Sequence, residues 1–92
     1  MIRSFRSRAL KRYWERNDAR QLPPQYVPRI QRILAVLNEA HTPQDLDIPG
    51  FHYHPLTGNL QGRHAVTVRA NWRITFAWSG ADAIEVAYED YH

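Results

Sequence analysis

Apolar positions in the first half of the chain repeat with a helical period. Phe5, Ala9, Leu10, Tyr13 and Trp14 fall at offsets 0, 4, 5, 8 and 9, which leaves Arg6, Arg8, Lys11, Arg12 and Glu15 for the wet face. A short Ile2–Phe5 segment precedes this stripe, and the stretch from Asn17 to Pro24 breaks it. Tyr26, Ile30, Ile33, Leu34 and Leu37 then predict a second helix from about Gln25 to Ala40, with Pro28 tolerated in its first turn. Thr42-Pro43-Gln44-Asp45 reads as an N-cap, a first-position proline and a first-turn acid, so a very short helix is expected before Pro49-Gly50. From Phe51 the period changes to that of strands. Phe51 and Tyr53 lead into a turn around Gly58-Asn59; Ala65–Val68 and Trp72–Trp78 follow, separated near Ala70-Asn71. Ser79–Asp82 is the next turn and Ala83–Tyr88 the last strand. Helices first and a meander afterwards predict an α+β fold, two N-terminal helices packed on a twisted antiparallel sheet of about four strands.

The chain has 92 residues, which fits one domain, since domains cluster at roughly 100–150 residues. A hydrophobic share of 43% with 23% charged residues is that of a globular chain. The absence of cysteine excludes a disulfide scaffold and thiolate metal sites. No apolar run approaches the ~20 residues that cross a bilayer, so a soluble cytoplasmic protein with no membrane partner is expected.

Charge divides the chain more than its net +3 conveys. Eleven of the twelve basic residues are arginine, and residues 1–20 carry a local balance of +5, against −4 for residues 82–92. Arginine forks match phosphate bidentately, so the bias is consistent with an RNA partner; codon bias in a GC-rich genome explains it equally well.

Four features are candidates for chemistry. Tyr88-Glu89-Asp90-Tyr91-His92 gathers acids, phenols and an imidazole at the terminus, and the alternation Ile84, Val86, Tyr88 would hold that strand in place. Asp90 and His92 would then share a face. His52-Tyr53-His54 puts two imidazoles on one side of a strand; they read as a general base, a metal pair or plain surface histidines, and no recognised ligand spacing joins them to His64, Asp90 or His92. Arg73 lies in a strand that buries Trp72, Ile74, Phe76 and Trp78, so by alternation Arg73 and Thr75 point the other way. There the guanidinium is either solvated or aimed at a phosphate. The helix Arg6–Arg16 is a solvated polar face or a phosphate-tracking surface.

Three ordered motifs carry a resemblance across essentially the whole chain: His54-Pro55-Leu56-x-Gly58, Val66-x-Val68-x-Ala70-Asn71-Trp72-Arg73-Ile74-x-Phe76, and Tyr88-Glu89-Asp90-Tyr91-His92, with Met1-Ile2-x-Ser4-Phe5 at the start. Together they resemble the HigB-type plasmid-maintenance killer toxins, a branch of the RelE superfamily of toxin–antitoxin systems. The resemblance implies a microbial-RNase-like fold and ribosome-dependent cleavage of mRNA in the decoding site, with no metal and no cofactor. It also implies a neighbouring helix-turn-helix antitoxin, HigA-like, through which alone the toxin would meet operator DNA. The attacking group would be the 2′-OH of the RNA, so no protein nucleophile is needed. Carried over by motif, His54, Arg73, Asp90, Tyr91 and His92 are the catalytic candidates. Arg73 would stabilise the phosphate, His54 and His92 would move protons, Asp90 would orient an imidazole and Tyr91 would hold RNA. Asn71, Arg63, Arg6, Arg8 and Arg12 are the expected RNA contacts. Relatives commonly carry Lys where this chain has Thr57, and Arg63 or His64 are the nearby candidates to replace that cation. Two other readings stay open: a weakened RelE-like protein that binds antitoxin or RNA without efficient cleavage, and a metal-dependent hydrolase built on His52 and His54.

Overall fold

The first seven residues do not join a helix; they run alongside the edge of the sheet. In the computed structural model, which describes residues 1–90, Ile2 and Phe5 bridge in parallel to Ala83 and Val86. Backbone bonds run both ways along this seam: Arg3 and Arg6 donate to the carbonyls of Ala83 and Val86 at 2.8 Å each, and Val86 donates to Ser4 at 3.1 Å. Phe5 was expected at the head of the first helical stripe. Its extended pairing delays the helix, α1, to Arg8–Arg16. Ser7 stands at the N-cap position, but its hydroxyl accepts the backbone N–H of Tyr88 at 2.8 Å and caps nothing in the helix. Asn17, in the left-handed region at φ +55°, ends α1.

The second helix, α2, spans Val27–Glu39 and is entered through a 3₁₀ turn over Pro24–Tyr26, so Tyr26 sits just outside the stripe that predicted it. Ile30, Ile33, Leu34 and Leu37, at offsets 0, 3, 4 and 7, are all fully buried. The short helix at Thr42 forms as a 3₁₀ turn over Pro43–Leu46, and Asp45 accepts the N–H groups of His41 and Thr42 at 2.8 and 3.2 Å.

The sheet contains β1 (His54–Pro55), β2 (Arg63–Arg69), β3 (Trp72–Ser79) and β4 (Asp82–Asp90), in that order and antiparallel throughout. Leu10 and the α2 stripe pack against Val66, Val68, Ile74, Phe76, Ala83 and Val86, with Leu22, Leu46 and Phe51 filling in from the connections. Fully burying such a side chain contributes about 1.5–3 kcal/mol.

Two departures from simple alternation place the side chains. The strand expected from Phe51 shrinks to two residues, because His52 takes φ +51° and turns the backbone, sending Phe51 into the core. On β4, Thr75 pairs with Ala87 but Ala77 with Ile84, which leaves an extra residue at Glu85, itself at φ +51°. Ile84 therefore faces away from Val86 and Tyr88, contrary to an unbroken alternation. Both Ala83 and Val86 can then face the helices.

Candidate active site on the open face of the sheet

Alternation in β3 sends Trp72, Ile74, Phe76 and Trp78 towards the helices and Arg73, Thr75 and Ala77 to the other face. Register extends that second face across the sheet. His54 pairs with Ala65, Ala65 with Thr75, and Thr75 with Ala87; Thr67 pairs with Arg73, and Arg73 with Glu89. Among the described residues no helix covers it.

Its floor is small and its centre is polar. Ala65 and Ala87, at 0% and 1% exposure, flank Thr75, itself fully buried, and leave room for a long side chain to lie across them. Arg63 takes that room. At 8% exposure it donates from Nη2 to the Thr75 hydroxyl at 3.0 Å and to the Glu85 carbonyl at 2.8 Å, with the Glu85 carboxylate 3.8 Å away. The Thr75 hydroxyl in turn donates a hydrogen bond to the Glu89 carboxylate. A buried guanidinium is costly without such partners, and the bulge is what turns the Glu85 carbonyl towards it. Arg63, expected as an RNA contact, is thus built into the support beneath the face.

Arg73 donates to the carbonyl of Asn71 at 3.3 Å, and Asn71 itself stands exposed at the β2–β3 turn, where Ala70 adopts φ +45°. Trp72, between them, pairs across with Asp90. The fold therefore gathers Asn71, Arg73 and Asp90 at one end of the sheet and adds Glu89, which the sequence reading did not single out. The alternation that set Thr75 beside Arg73 was its available signal. Tyr91 and His92 lie outside the described residues. His54 belongs to the same face two strands away, each spacing being about 4.8 Å.

His52 and His54 do not share a side of a strand. The exposed His52 lies in the turned backbone, and its carbonyl is 3.0 Å from His54 Nδ1. A carbonyl only accepts, so Nδ1 carries the proton, and neutral His54 keeps its lone pair on Nε2. Among the described residues no three His, Asp or Glu side chains come together as a metal-holding group. His64 belongs to the other face, stacked between Tyr53 and Phe76 at centroid distances of 5.8 and 5.4 Å and bonded through Nδ1 to the Tyr53 hydroxyl at 2.9 Å. Burial, with a smaller contribution from the Arg63 charge, holds its pKa below the usual imidazole value.

The expected arginine surface lies elsewhere. Arg8, Lys11, Arg12 and Arg16 line one outer patch of α1 with Glu15, and Arg12 has Asp18 at 3.7 Å. Arg6 reaches the far side of the bulge, with Glu85 at 3.9 Å.

Two helices packed on a four-stranded antiparallel sheet with an open polar face define an α+β class that solved structures share. Among solved structures the chain superposes on the YoeB–YefM complex from Staphylococcus aureus with a TM-score of 0.64 at 16% identity, covering 100% of this chain and 98% of that one. It also superposes on YafQ from E. coli with a TM-score of 0.51 at 14% identity, covering 97% and 94%. The likeness to these structures is one of fold. A model of the HigB-like family, described as the RelE-like toxin of the type II toxin–antitoxin system HigB, matches residues 3–92. The chain is 40% identical over 92 residues to "Endoribonuclease HigB" of Proteus vulgaris, covering 100% of both. It is 30% identical over 94 residues to "Toxin HigB-1" of Vibrio cholerae serotype O1, covering 100% of this chain and 98% of the relative. The chain belongs to the HigB-like toxins of type II toxin–antitoxin systems.

Proposed function

We propose that this HigB-like toxin is an endoribonuclease that cuts mRNA on the ribosome, using side chains of the sheet's open face. The observation that carries the reading is that an imidazole, His54, with Nδ1 held by the His52 carbonyl, and a strand-borne guanidinium, Arg73, share one face supported by the Arg63–Thr75–Glu89 hydrogen bonds. His54 Nε2 accepts the proton of the RNA 2′-OH, and the 2′-oxygen attacks the adjacent phosphorus. Arg73 balances the charge that grows on the phosphoryl oxygens. The bond from phosphorus to the 5′-oxygen breaks, that oxygen takes a proton from His92, and a 2′,3′-cyclic phosphate is left on the upstream fragment. Asp90 orients His92, while Tyr91 and Asn71 hold the message.

The basic patch of α1, with Arg8 and Arg12, suits ribosomal RNA, and Arg6 continues it towards the sheet edge. An antitoxin is the natural partner of a toxin in this family. The complexed state of the YoeB relative supports that pairing here, with a HigA-like helix-turn-helix protein as its form and operator DNA reached through it. The working compartment is that of translating ribosomes, the cytoplasm. Purified toxin added to programmed ribosomes should cut translated message and leave the same RNA intact when it is naked. Arg73→Ala, His54→Ala and His92→Ala should each slow cutting about 100-fold or more. Cutting at the wild-type rate by Arg73→Ala rules the assignment out.

A further inference from the structure

A cleft of ≈ 350 Å³ opens beyond the open face, at the end of the sheet where β3 begins and β4 finishes. Four separate parts of the chain line it: Gln21, Gln25 and Tyr26 from the connection between the helices, Arg69 from the end of β2, Trp72 from β3 and Tyr88 from β4. Trp72 and Tyr88 are stacked with centroids 4.6 Å apart and planes 24° from parallel. The Arg69 guanidinium sits 5.1 Å from the Tyr26 ring centroid. All three rings keep part of their surface open, whereas Phe51 and Phe76 are buried to 1% and 0%. Half-open rings gathered from three segments, with an exposed cation over one of them, exceed what core packing requires.

We propose that this cleft is a subsite for one unpaired nucleobase of RNA, stacked on its rings, with Arg69 on the neighbouring phosphate. The proposal rests on the reading of the protein as an RNA-cutting enzyme and deepens it. Flat π surfaces accept any base, and the Gln21 and Gln25 amides offer donors and acceptors to its edge. The charged side chain among those lining the cleft is a cation, which selects an anionic occupant. The cleft also borders the proposed catalytic end, because Trp72, which lines it, pairs with Asp90. A strand that runs past this end of the sheet therefore has the cleft beside it, with Arg69 there to meet a phosphate.

The test separates binding from cutting. A fluorescent single-stranded RNA, 2′-O-methylated throughout and so uncleavable, is titrated into the full chain at low salt and followed by anisotropy. Wild type should bind, and Tyr26→Leu should weaken binding roughly tenfold. Arg69→Gln, at an exposed position that leaves the core untouched, should also weaken it and lower the salt slope by about one. Binding should quench tryptophan fluorescence, and Trp72→Phe should remove most of that quenching. Undetectable binding by wild type, or affinities unchanged in both Tyr26→Leu and Arg69→Gln, overturns the subsite. Unchanged RNA affinity with a weakened antitoxin complex also overturns it and gives the cleft to the antitoxin. A protein that binds this RNA as expected yet cuts no message keeps the subsite and loses the catalytic reading.

Discussion

The Ser4 hydroxyl accepts the backbone N–H of Glu85 at 2.9 Å, at the bulge where Glu85 and Val86 interrupt the register of β4 with β3. Three residues further along each segment, Ser7 does the same for Tyr88 at 2.8 Å. The N-terminal segment thus closes the edge of the strand that carries Glu89 and Asp90, and two serine side chains supply bonds that a regular ladder would have made from backbone. Ser7→Ala should destabilise the protein by about 1 kcal/mol, a Tm loss of roughly 4–8 °C for a chain of this size. Ser4→Ala should cost less, because Glu85 is exposed whereas Tyr88 is half-buried, so water replaces the lost bond more readily at Glu85. Urea and thermal unfolding of the two variants check the order; a larger loss for Ser4→Ala contradicts it.

Removing the hydroxyl at the centre of the open face should be felt twice. Thr75→Val keeps the shape but takes away the acceptor for Arg63 and the donor for Glu89. With Arg63 only 8% exposed, the lost partner should cost about 1–3 kcal/mol, and Thr75→Ser should restore most of it. Cutting by Thr75→Val should fall at temperatures where the variant is still folded, since Glu89 faces Arg73 across the strands. A stable and fully active Thr75→Val means that the relay supports neither fold nor site.

The helical stripes and the β3 alternation were legible because burial repeats locally: four α2 residues at helical spacing fill the core, and every second residue of β3 faces it. The resemblance motifs named His54, Asn71, Arg73 and Asp90; the fold sets His54 and Arg73 on the open face and Asn71 and Asp90 at the same end of the sheet, with Asp90 in register with Trp72. What the chain did not announce depends on non-local pairing. Nothing near Glu85 in sequence marks a bulge, because its unusual backbone is supported by Ser4, 81 residues away, and it is this bulge that reverses Ile84. Arg63 read as a surface cation for a similar reason. Its burial depends on Ala65, Thr75 and Ala87 meeting in register, and local composition carries no trace of that.

Acid should weaken the fold through His64. Burial keeps its pKa below the ordinary 6.5, so the folded protein holds it neutral while the unfolded chain takes up a proton as the pH falls through that value. The unfolded state then binds more protons, and stability drops from about pH 6.5 downward with no such contribution at pH 7.5. The carboxyls of Asp18, Asp45 and Asp82 are held low by their partners, so their stabilisation is lost only in more acid solution. His64→Phe, which can keep the stack between Tyr53 and Phe76, should shrink the difference in unfolding free energy between pH 7.5 and 5.5. An unchanged difference excludes His64 as its source.

Arg29 fastens α2 to the loop below it, with its guanidinium on the carbonyls of Gly50 and Thr67 and 5.6 Å from the Phe51 ring centroid. Arg29→Met keeps the apolar stem and deletes every donor, so two carbonyls lose their partner beside a buried ring. The expected cost is about 1 kcal/mol, because water reaches the Gly50 carbonyl. Hydrogen exchange should be faster at the Thr67 amide, which donates to the Phe51 carbonyl at 2.9 Å. Protection equal to wild type there shows that Phe51 alone holds the loop.

Thr57 stands where the resemblance implies a lysine, and its surroundings make the exchange clean. It is exposed just after β1, between Leu56, whose N–H donates to the Arg63 carbonyl at 2.8 Å, and Gly58 at φ +66°. A lysine there adds a mobile cation near His54 and disturbs no packing, so Thr57→Lys should unfold within a degree or two of wild type. On programmed ribosomes it should cut faster, by about tenfold if the added charge reaches the phosphoryl oxygens in the transition state. In that case kcat rises; a cation that only grips the backbone lowers KM, leaves kcat alone and steepens the salt dependence by about one. Should wild type cut poorly and Thr57→Lys well, the natural chain is a weakened toxin. An unchanged kcat, KM and salt slope in Thr57→Lys shows that this turn does not meet the RNA.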